Sequence, residues 1–195
     1  MKNMYKWELK DIIMIGLISI IFGIIYLGAV HIGIYLGVLL TPLGLGILAN
    51  EFIFGIWFMA ATLAVYIIRK PGVATIAEML AALIEVFLGN MYGPIIFVSG
   101  LVQGIGSEAA FFATSYKSYS MKTFTISALG ATITSFIWGF FRSNFTGISI
   151  GMLVAIFVIR FISAWFFSGF LVKKLVDALA KTGVLENYEI NNNEV

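Results

Sequence analysis

Long apolar runs, separated by short polar or Gly/Pro-containing stretches, occupy most of the chain. A helix needs about 20 largely apolar residues to cross the roughly 30 Å hydrocarbon core of a bilayer. Six runs approach that length, at residues 12–30, 48–68, 73–90, 94–114, 123–141 and 149–172. Transmembrane β-strands require alternating apolar and polar residues, and these runs do not alternate. The pattern predicts an all-α integral membrane protein with six transmembrane helices.

One apolar stretch, residues 32–47, is left over between the first two runs. It holds several residues that disfavour a helix interior, namely Gly33, Gly37, Thr41, Pro42, Gly44 and Gly46. We therefore predict a short re-entrant or broken segment after the first helix. Seven spans is the alternative count.

Composition and charge support the membrane fold and orient it. Of the 195 residues, 61% are hydrophobic and 11% are charged, against about 25% charged in an ordinary soluble domain. Ten of the 12 Lys and Arg residues fall in four segments, residues 2–10, 69–70, 117–122 and 173–181. Cytoplasmic loops collect Lys and Arg, and six spans place all four segments on one side. We predict that both termini are cytoplasmic.

The chain is predicted to form a single membrane domain. Residues 1–183 contain all the spans, and residues 184–195, which include three consecutive Asn residues, predict a polar flexible C-terminal tail. No cleavable signal pattern is evident near the N-terminus, so we expect the first apolar run to remain as a helix in the bilayer.

Ionisable residues inside the predicted spans are the strongest functional signal, because they are costly in hydrocarbon. They are Glu51, Glu78, Glu85, Glu108 and Arg160. Aromatic and amide residues of the same region are Trp57, Asn90, Tyr92, Gln103 and Trp138. Carboxylates and rings together suit a flat organic cation. The structural alternatives are buried ion pairs or polar locks for Glu78, Glu108 and Arg160, and an interfacial aromatic belt for Trp138.

The sequence lacks the residues that several kinds of catalytic and metal-binding site require. The chain has no Walker A motif, no Asp within a span and a single His, His31, without a Cys or second His to share a metal. We expect no catalytic residues, no metal site and no nucleic-acid partner. A binding subunit that needs partners, a self-sufficient proton-coupled carrier or channel for a small organic cation, and a scaffold without a ligand all remain open. The carrier would use Glu78, Glu108 and Arg160 as a relay.

Small residues at helical spacing mark one face of the first span. Gly16, Ser19 and Gly23 lie among Ile and Leu residues, and small residues let helix backbones approach closely in lipid. We predict that this stripe receives a partner subunit.

A block of motifs between Lys70 and Phe112 resembles a known family. It contains Lys70-Pro71-Gly72, Ala77-Glu78, Glu85, Gly89-Asn90-x-Tyr92-Gly93-Pro94 and Gly100-Leu101-x-Gln103-Gly104-x-Gly106-x-Glu108. The block is similar to the YkoE-type family, the substrate-binding S components of energy-coupling factor (ECF) transporters for thiamin or its hydroxymethylpyrimidine precursor. Tyr92 stands where the family has Trp and keeps a stacking ring.

This resemblance implies a six-helix vitamin-binding subunit of the bacterial plasma membrane whose pocket opens outward. It implies docking on a transmembrane T component, with two cytoplasmic ATPase subunits that use ATP, while this chain binds no cofactor. Glu51 and Glu85 would supply negative charge, Asn90 and Gln103 would orient polar edges, and Trp57, Tyr92 and Trp138 would stack. Glu78 and Glu108 are further substrate-binding candidates. Gly16, Ser19 and Gly23 would contact the T component.

Overall fold

The computed structural model describes residues 6–143, 145–188 and 190, and every regular element in them is helical. The α-helices are α1 (Leu9–Leu40), α2 (Met59–Ile68), α3 (Val73–Phe87), α4 (Ile95–Ala113), α5 (Met121–Arg142), α6 (Ile150–Ala164) and α7 (Val172–Lys181). A π-type turn, Trp165–Leu171, joins α6 to α7. Five stretches, residues 9–43, 46–68, 95–113, 121–142 and 150–181, are long and apolar enough to cross a membrane. The predicted all-α membrane fold is confirmed.

Of the six predicted spans, the one at residues 73–90 is not among these five stretches, because it forms the shorter helix α3. Its 15 residues extend about 22 Å at 1.5 Å per residue. The helix packs between α1 and α4. It ends at Phe87, whereas α1, which contacts Ile84 at Gly23, continues to Leu40. α1 therefore extends past α3 in the half of the bundle away from the lysine-rich end, the end at which Lys10 and Lys70 lie.

The break after the first helix lies later than predicted. Residues 32–40 continue α1, which is 32 residues long, so the expectation of a re-entrant segment over 32–47 is wrong in its bounds. Breaking a helix in lipid leaves backbone groups without partners, which costs more than the roughly 1 kcal/mol for each Gly in a helix. The chain turns only at Thr41–Leu43 and Gly46–Leu48, two short 3-10 turns.

The second span begins as a 3-10 helix over Glu51–Phe58, called here the 3-10 segment, before α2 continues it. The 3-10 segment packs against α6. At Gly55 the two backbones meet so closely that a Cβ atom would lie 2.2 Å from the Ser163 carbonyl oxygen. The Gly55 N–H also donates to Ser163 Oγ at 2.9 Å.

Glycines mark the other close helix contacts as well. A Cβ atom on Gly23 of α1 would lie 2.6 Å from Ile84 of α3. One on Gly100 of α4 would lie 2.7 Å from the Ala82 Cβ, and one on Gly104 would lie 2.8 Å from the Thr75 Cα. Because backbones are this close, α3 is clamped between α1 and α4.

Both ends of the described chain lie together at the lysine-rich end of the bundle. The Lys10 Nζ donates to the Asn187 carbonyl at 2.8 Å, and the Tyr188 hydroxyl donates to the Lys10 carbonyl at 3.0 Å. Leu185 is buried, so the first residues of the predicted tail pack on α1. Residues 191–195 of that tail lie outside the described residues.

Candidate functional site

A narrow pocket opens in the half of the bundle away from the lysine-rich end. It encloses about 520 Å³ of space between atoms, its open mouth included, and the centre of a water molecule can occupy about 50 Å³ of it. Side chains from α1, the 3-10 segment, α3, the α3–α4 turn, α4 and the end of α5 line it. Small-molecule sites are concave and combine a largely apolar wall with a few convergent polar groups. Aromatic rings, carboxylates and amides line this pocket together.

The Glu78 carboxylate forms the floor of the pocket and is held from one side only. Its Oε2 accepts hydrogen bonds from the Tyr26 hydroxyl at 2.9 Å and from the Ala61 N–H at 3.0 Å. The Tyr26 oxygen in turn accepts one from the Ala60 N–H at 3.1 Å. The Glu78 Oε1 is buried and has no partner in the described part of the chain. One carboxylate oxygen is therefore fixed by the protein, and the other accepts no hydrogen bond from the described residues.

Glu85 lies two turns further along the same face of α3 and has a similar arrangement. The chain turns after α3 at Gly89, whose φ is +92°, and Asn90 folds back so that its Nδ2 donates to Glu85 Oε1. The Tyr92 N–H donates to Asn90 Oδ1 at 2.7 Å and holds the amide in this orientation. Glu85 Oε2 is buried and accepts no hydrogen bond of good geometry among the described residues, although the Trp57 side chain lies close to Glu85.

Aromatic rings and one free amide complete the wall. Trp57 contacts Phe54 edge-on, with ring centroids 5.6 Å apart. The Tyr92 ring lies 4.7 Å from the guanidinium carbon of Arg142 at the mouth, a cation–π distance. The Gln103 side chain lines the pocket and forms no hydrogen bond within the part of the chain that the structure describes. Its amide can therefore donate to and accept from a ligand.

Comparison with known proteins identifies the family. A family model described as "ABC-type cobalt transport system, permease component" matches residues 10–134. The chain is 42% identical over 182 residues, 93% of its length and 89% of the relative's, to "Putative HMP/thiamine permease protein YkoE" of Bacillus subtilis (strain 168). It matches a solved structure described as "Crystal structure of an S-component of ECF transporter" with a TM-score of 0.90 and 41% identity, over 96% of this chain and 92% of that one.

The chain belongs to the YkoE-type family of ECF S components. It is accordingly a multi-pass membrane protein and a substrate-binding subunit of the ECF type. The resemblance seen in the motif block is confirmed.

Six of the nine predicted substrate-binding residues of this S component meet at the pocket. They are Trp57, Glu78, Glu85, Asn90, Tyr92 and Gln103. Trp138 stands one layer behind, where its Nε1 donates to Ser99 Oγ at 2.8 Å and Ser99 lines the pocket. Trp138 therefore supports the wall rather than forming it.

Glu51 does not reach the pocket, because Arg160 of α6 binds it. The Arg160 Nε and Nη2 donate to the two carboxylate oxygens at 2.6 Å and 2.7 Å. Both side chains are buried. The two residues are 109 positions apart, so sequence spacing gave no sign of this pairing.

Glu108 lies at the lysine-rich end of this S component and caps α3. Its carboxylate accepts hydrogen bonds from the Gly72 N–H, from the Thr75 N–H at 3.0 Å and from the Tyr116 hydroxyl at 2.9 Å. A carboxylate at a helix N-terminus satisfies free N–H groups and complements the helix dipole. Glu78, Glu108 and Arg160 thus have separate partners, and the relay proposed for a carrier is not assembled.

Several pocket residues were missed in the sequence. Tyr26 and Phe54 have no charge, and aromatic residues are common in spans, so neither stood out. Arg142 directly follows the predicted span at residues 123–141, so it is not among the ionisable residues inside the spans. The signal for Tyr26 was its hydroxyl in the middle of an otherwise apolar helix, since a buried Tyr hydroxyl usually has a partner.

The three residues of the predicted partner stripe on α1 have two different environments. Ser19 Oγ donates to the Ala77 carbonyl at 3.2 Å, and Gly23 is pressed against Ile84, so both are used within this chain. Gly16 has open space where a Cβ would project. Of the three residues, Gly16 alone keeps a free face for a partner in the described structure.

Proposed function

We propose that this S component captures thiamin or its hydroxymethylpyrimidine precursor from outside the cell. One observation carries the proposal: Glu78 and Glu85 both line the same narrow pocket, and each has one buried carboxylate oxygen that accepts no hydrogen bond from the described residues. Such oxygens seek hydrogen-bond donors or positive charge. The name of the Bacillus subtilis relative, which mentions HMP and thiamine, supports the same substrate class.

The chemistry of these ligands fits the pocket's groups. An aminopyrimidine is a flat ring with an exocyclic amine that donates hydrogen bonds and ring nitrogens that accept them. The carboxylates can accept from the amine, the Gln103 amide can pair with a ring nitrogen, and Trp57 or Tyr92 can stack on the ring face. Thiamin adds a thiazolium cation, which a carboxylate and aromatic faces also favour.

The description of the matching family model names cobalt, but the pocket suits a cobalt ion less well than an organic ligand. Divalent transition metals prefer imidazole, thiolate or clustered carboxylate ligands. Within residues 6–143, 145–188 and 190, no group of three His, Cys, Asp or Glu side chains is placed to hold a metal. The ring-lined slot supports an organic ligand.

Transport would then depend on partner subunits. The sequence contains no Walker A motif, so we propose that a T component and two cytoplasmic ATPase subunits supply the energy, and that this chain binds no cofactor itself. The chain acts as a binding subunit and not as an enzyme.

Isothermal titration of the detergent-purified protein tests the ligand. Thiamin, hydroxymethylpyrimidine and Co²⁺ are titrated separately, and we expect saturable binding of at least one pyrimidine at micromolar concentration and no saturable heat from Co²⁺. No binding of either pyrimidine would overturn the substrate assignment.

Reconstitution in liposomes tests the dependence on partners. We expect thiamin or hydroxymethylpyrimidine uptake only when a T component and the ATPases are present with ATP. Uptake by this chain alone, driven by a pH gradient, would instead support a self-sufficient carrier.

A further inference from the structure

The 3-10 segment carries Phe54 and Trp57 into the pocket, yet its own backbone holds it poorly. A 3-10 helix has weaker hydrogen-bond geometry than an α-helix and rarely exceeds four residues, whereas this one has eight. Contacts from outside the segment must therefore select its conformation. Those contacts come largely from α6, which contributes no side chain to the pocket lining among the described residues.

The first contact is the buried ion pair of Glu51 and Arg160. Two parallel hydrogen bonds, at 2.6 Å and 2.7 Å, join the planar guanidinium to the carboxylate. A third, from Arg160 Nη1 to Ser135 Oγ at 3.2 Å, ties the pair to α5. Glu51 is 5% exposed and Arg160 is 2% exposed. Bidentate Arg–carboxylate pairing fixes orientation as well as distance.

The second contact reaches the pocket wall itself. The Arg160 guanidinium carbon lies 3.8 Å from the centroid of the Phe54 ring. Phe54 lines the pocket on one side, and Trp57, which it touches edge-on, lines the pocket beside it. Arg160 therefore backs the aromatic wall without touching the cavity.

Gly55 provides the third contact, since its N–H is bonded to Ser163 and its Cα sits against the α6 backbone. The segment is thus fastened to α6 at both Glu51 and Gly55, and Phe54 lies between them. Removing one partner of a buried ion pair leaves an unpaired charge, whereas removing both leaves none. The pair can therefore select one position of the segment without being the main source of stability.

We propose that Glu51 and Arg160 are positioning residues that hold Phe54 and Trp57 in the ligand-binding arrangement, so that α6 controls affinity from outside the pocket. The ligand part of this inference rests on the proposed function, while the placement of Trp57 does not. Glu51 acts here through Arg160 and not on the ligand.

The test uses a protein whose single remaining tryptophan is Trp57, obtained by replacing Trp7, Trp138 and Trp165 with Phe. Acrylamide quenching and the emission maximum of Trp57 are measured in this protein without ligand, well below the unfolding midpoint. Kd for thiamin and hydroxymethylpyrimidine is measured by titration of the same variants in the protein that keeps all four tryptophans, because Trp138 supports the pocket wall. We expect Arg160→Gln to increase quenching and to weaken binding about tenfold, within the range for contacting residues.

Two further variants separate positioning from general damage. Glu51→Gln combined with Arg160→Gln creates a neutral amide pair, and we expect it to recover part of the lost affinity and protection of Trp57. Arg160→Lys keeps the charge but loses the planar fork, and we expect an intermediate result. Arg160→Lys keeps the proposal falsifiable if Arg160→Gln does not fold.

Lys70→Gln is the matched control. Lys70 forms another buried pair at the lysine-rich end, where its Nζ lies 2.6 Å from the Asp11 carboxylate. Asp11 lies about 22 Å along α1 from Tyr26, which lines the pocket. We expect Lys70→Gln to lower the unfolding midpoint and to leave Trp57 quenching and Kd unchanged. The proposal is overturned if Arg160→Gln and Arg160→Lys change only the midpoint, or if Lys70→Gln changes quenching and Kd equally. If the unmodified protein binds neither ligand, the proposed function fails, and quenching still decides the inference.

Discussion

Glu85→Gln is expected to weaken ligand binding strongly while leaving the ligand-free protein as stable as before or more so. Glu85 lines the pocket, and its Oε2 is buried and accepts no hydrogen bond of good geometry in the described structure, so we expect this oxygen to bind the ligand. Hydrogen bonds to a charged group contribute about 1.5–3 kcal/mol, which corresponds to a loss of about 10- to 150-fold in Kd. A neutral amide also costs less to bury than an unpaired carboxylate, so the unfolding midpoint should not fall.

Glu108→Gln is the matched control, because it makes the same chemical change in the same motif block. The Glu108 carboxylate is fully used by donors at the start of α3 and by Tyr116. An amide NH₂ facing those N–H groups loses hydrogen bonds, and we expect the unfolding free energy to fall by about 1–3 kcal/mol. Its Kd should be unchanged at temperatures below the unfolding transition.

Two measurements on each variant decide the matter: the thermal unfolding midpoint in detergent without ligand, and Kd by isothermal titration at a temperature where all variants are folded. The expected outcome is a crossed pattern, with affinity lost in Glu85→Gln and stability lost in Glu108→Gln. Equal losses of affinity in both variants, or full affinity in Glu85→Gln, would refute the assignment of Glu85 to the ligand.

Three other substitutions probe different contacts. Gly23→Leu should lower the unfolding midpoint of the isolated protein, since its Cβ would lie 2.6 Å from Ile84. Gly16→Leu should leave the midpoint and Kd unchanged and reduce uptake with the T component. A midpoint drop of equal size in both variants would contradict this difference between the two glycines. Tyr26→Phe removes the donor to Glu78 Oε2 and the acceptor for the Ala60 N–H. We expect the unfolding free energy to fall by about 1–3 kcal/mol, measured as a lower unfolding midpoint. Unchanged stability would show that the fold does not need this hydrogen-bond network.

The break after the first helix shows what local residue preference leaves undecided. Gly33 and Gly37 argue for a break, yet α1 continues through both. Gly33 serves instead to let Asn50 approach, because a Cβ there would lie 2.1 Å from Asn50 Oδ1. The sequence does not distinguish a glycine that permits a close contact from a glycine that ends a helix, because the difference depends on which residue packs against it in the fold.

The buried carboxylates make the same point for the site. Glu51, Glu78, Glu85 and Glu108 were equivalent as charges inside apolar runs, but their partners separate them. Glu51 pairs with Arg160, and Glu108 binds the N-terminus of α3. Glu78 and Glu85 line the pocket, and each has one carboxylate oxygen without a hydrogen bond of good geometry in the described structure. Partners more than 30 positions away in the chain decide which carboxylate is neutralised and which is left for a ligand.

The sequence specified the all-helical membrane fold and the segments that gather the lysines, because apolar length and charge position act locally against the bilayer. It also determined the family, through a motif block in which spacing is set by the helices. Tertiary structure alone decided which polar groups face the cavity. A buried charge is costly until something satisfies it, and what satisfies each one here depends on helices that meet only when the bundle is packed.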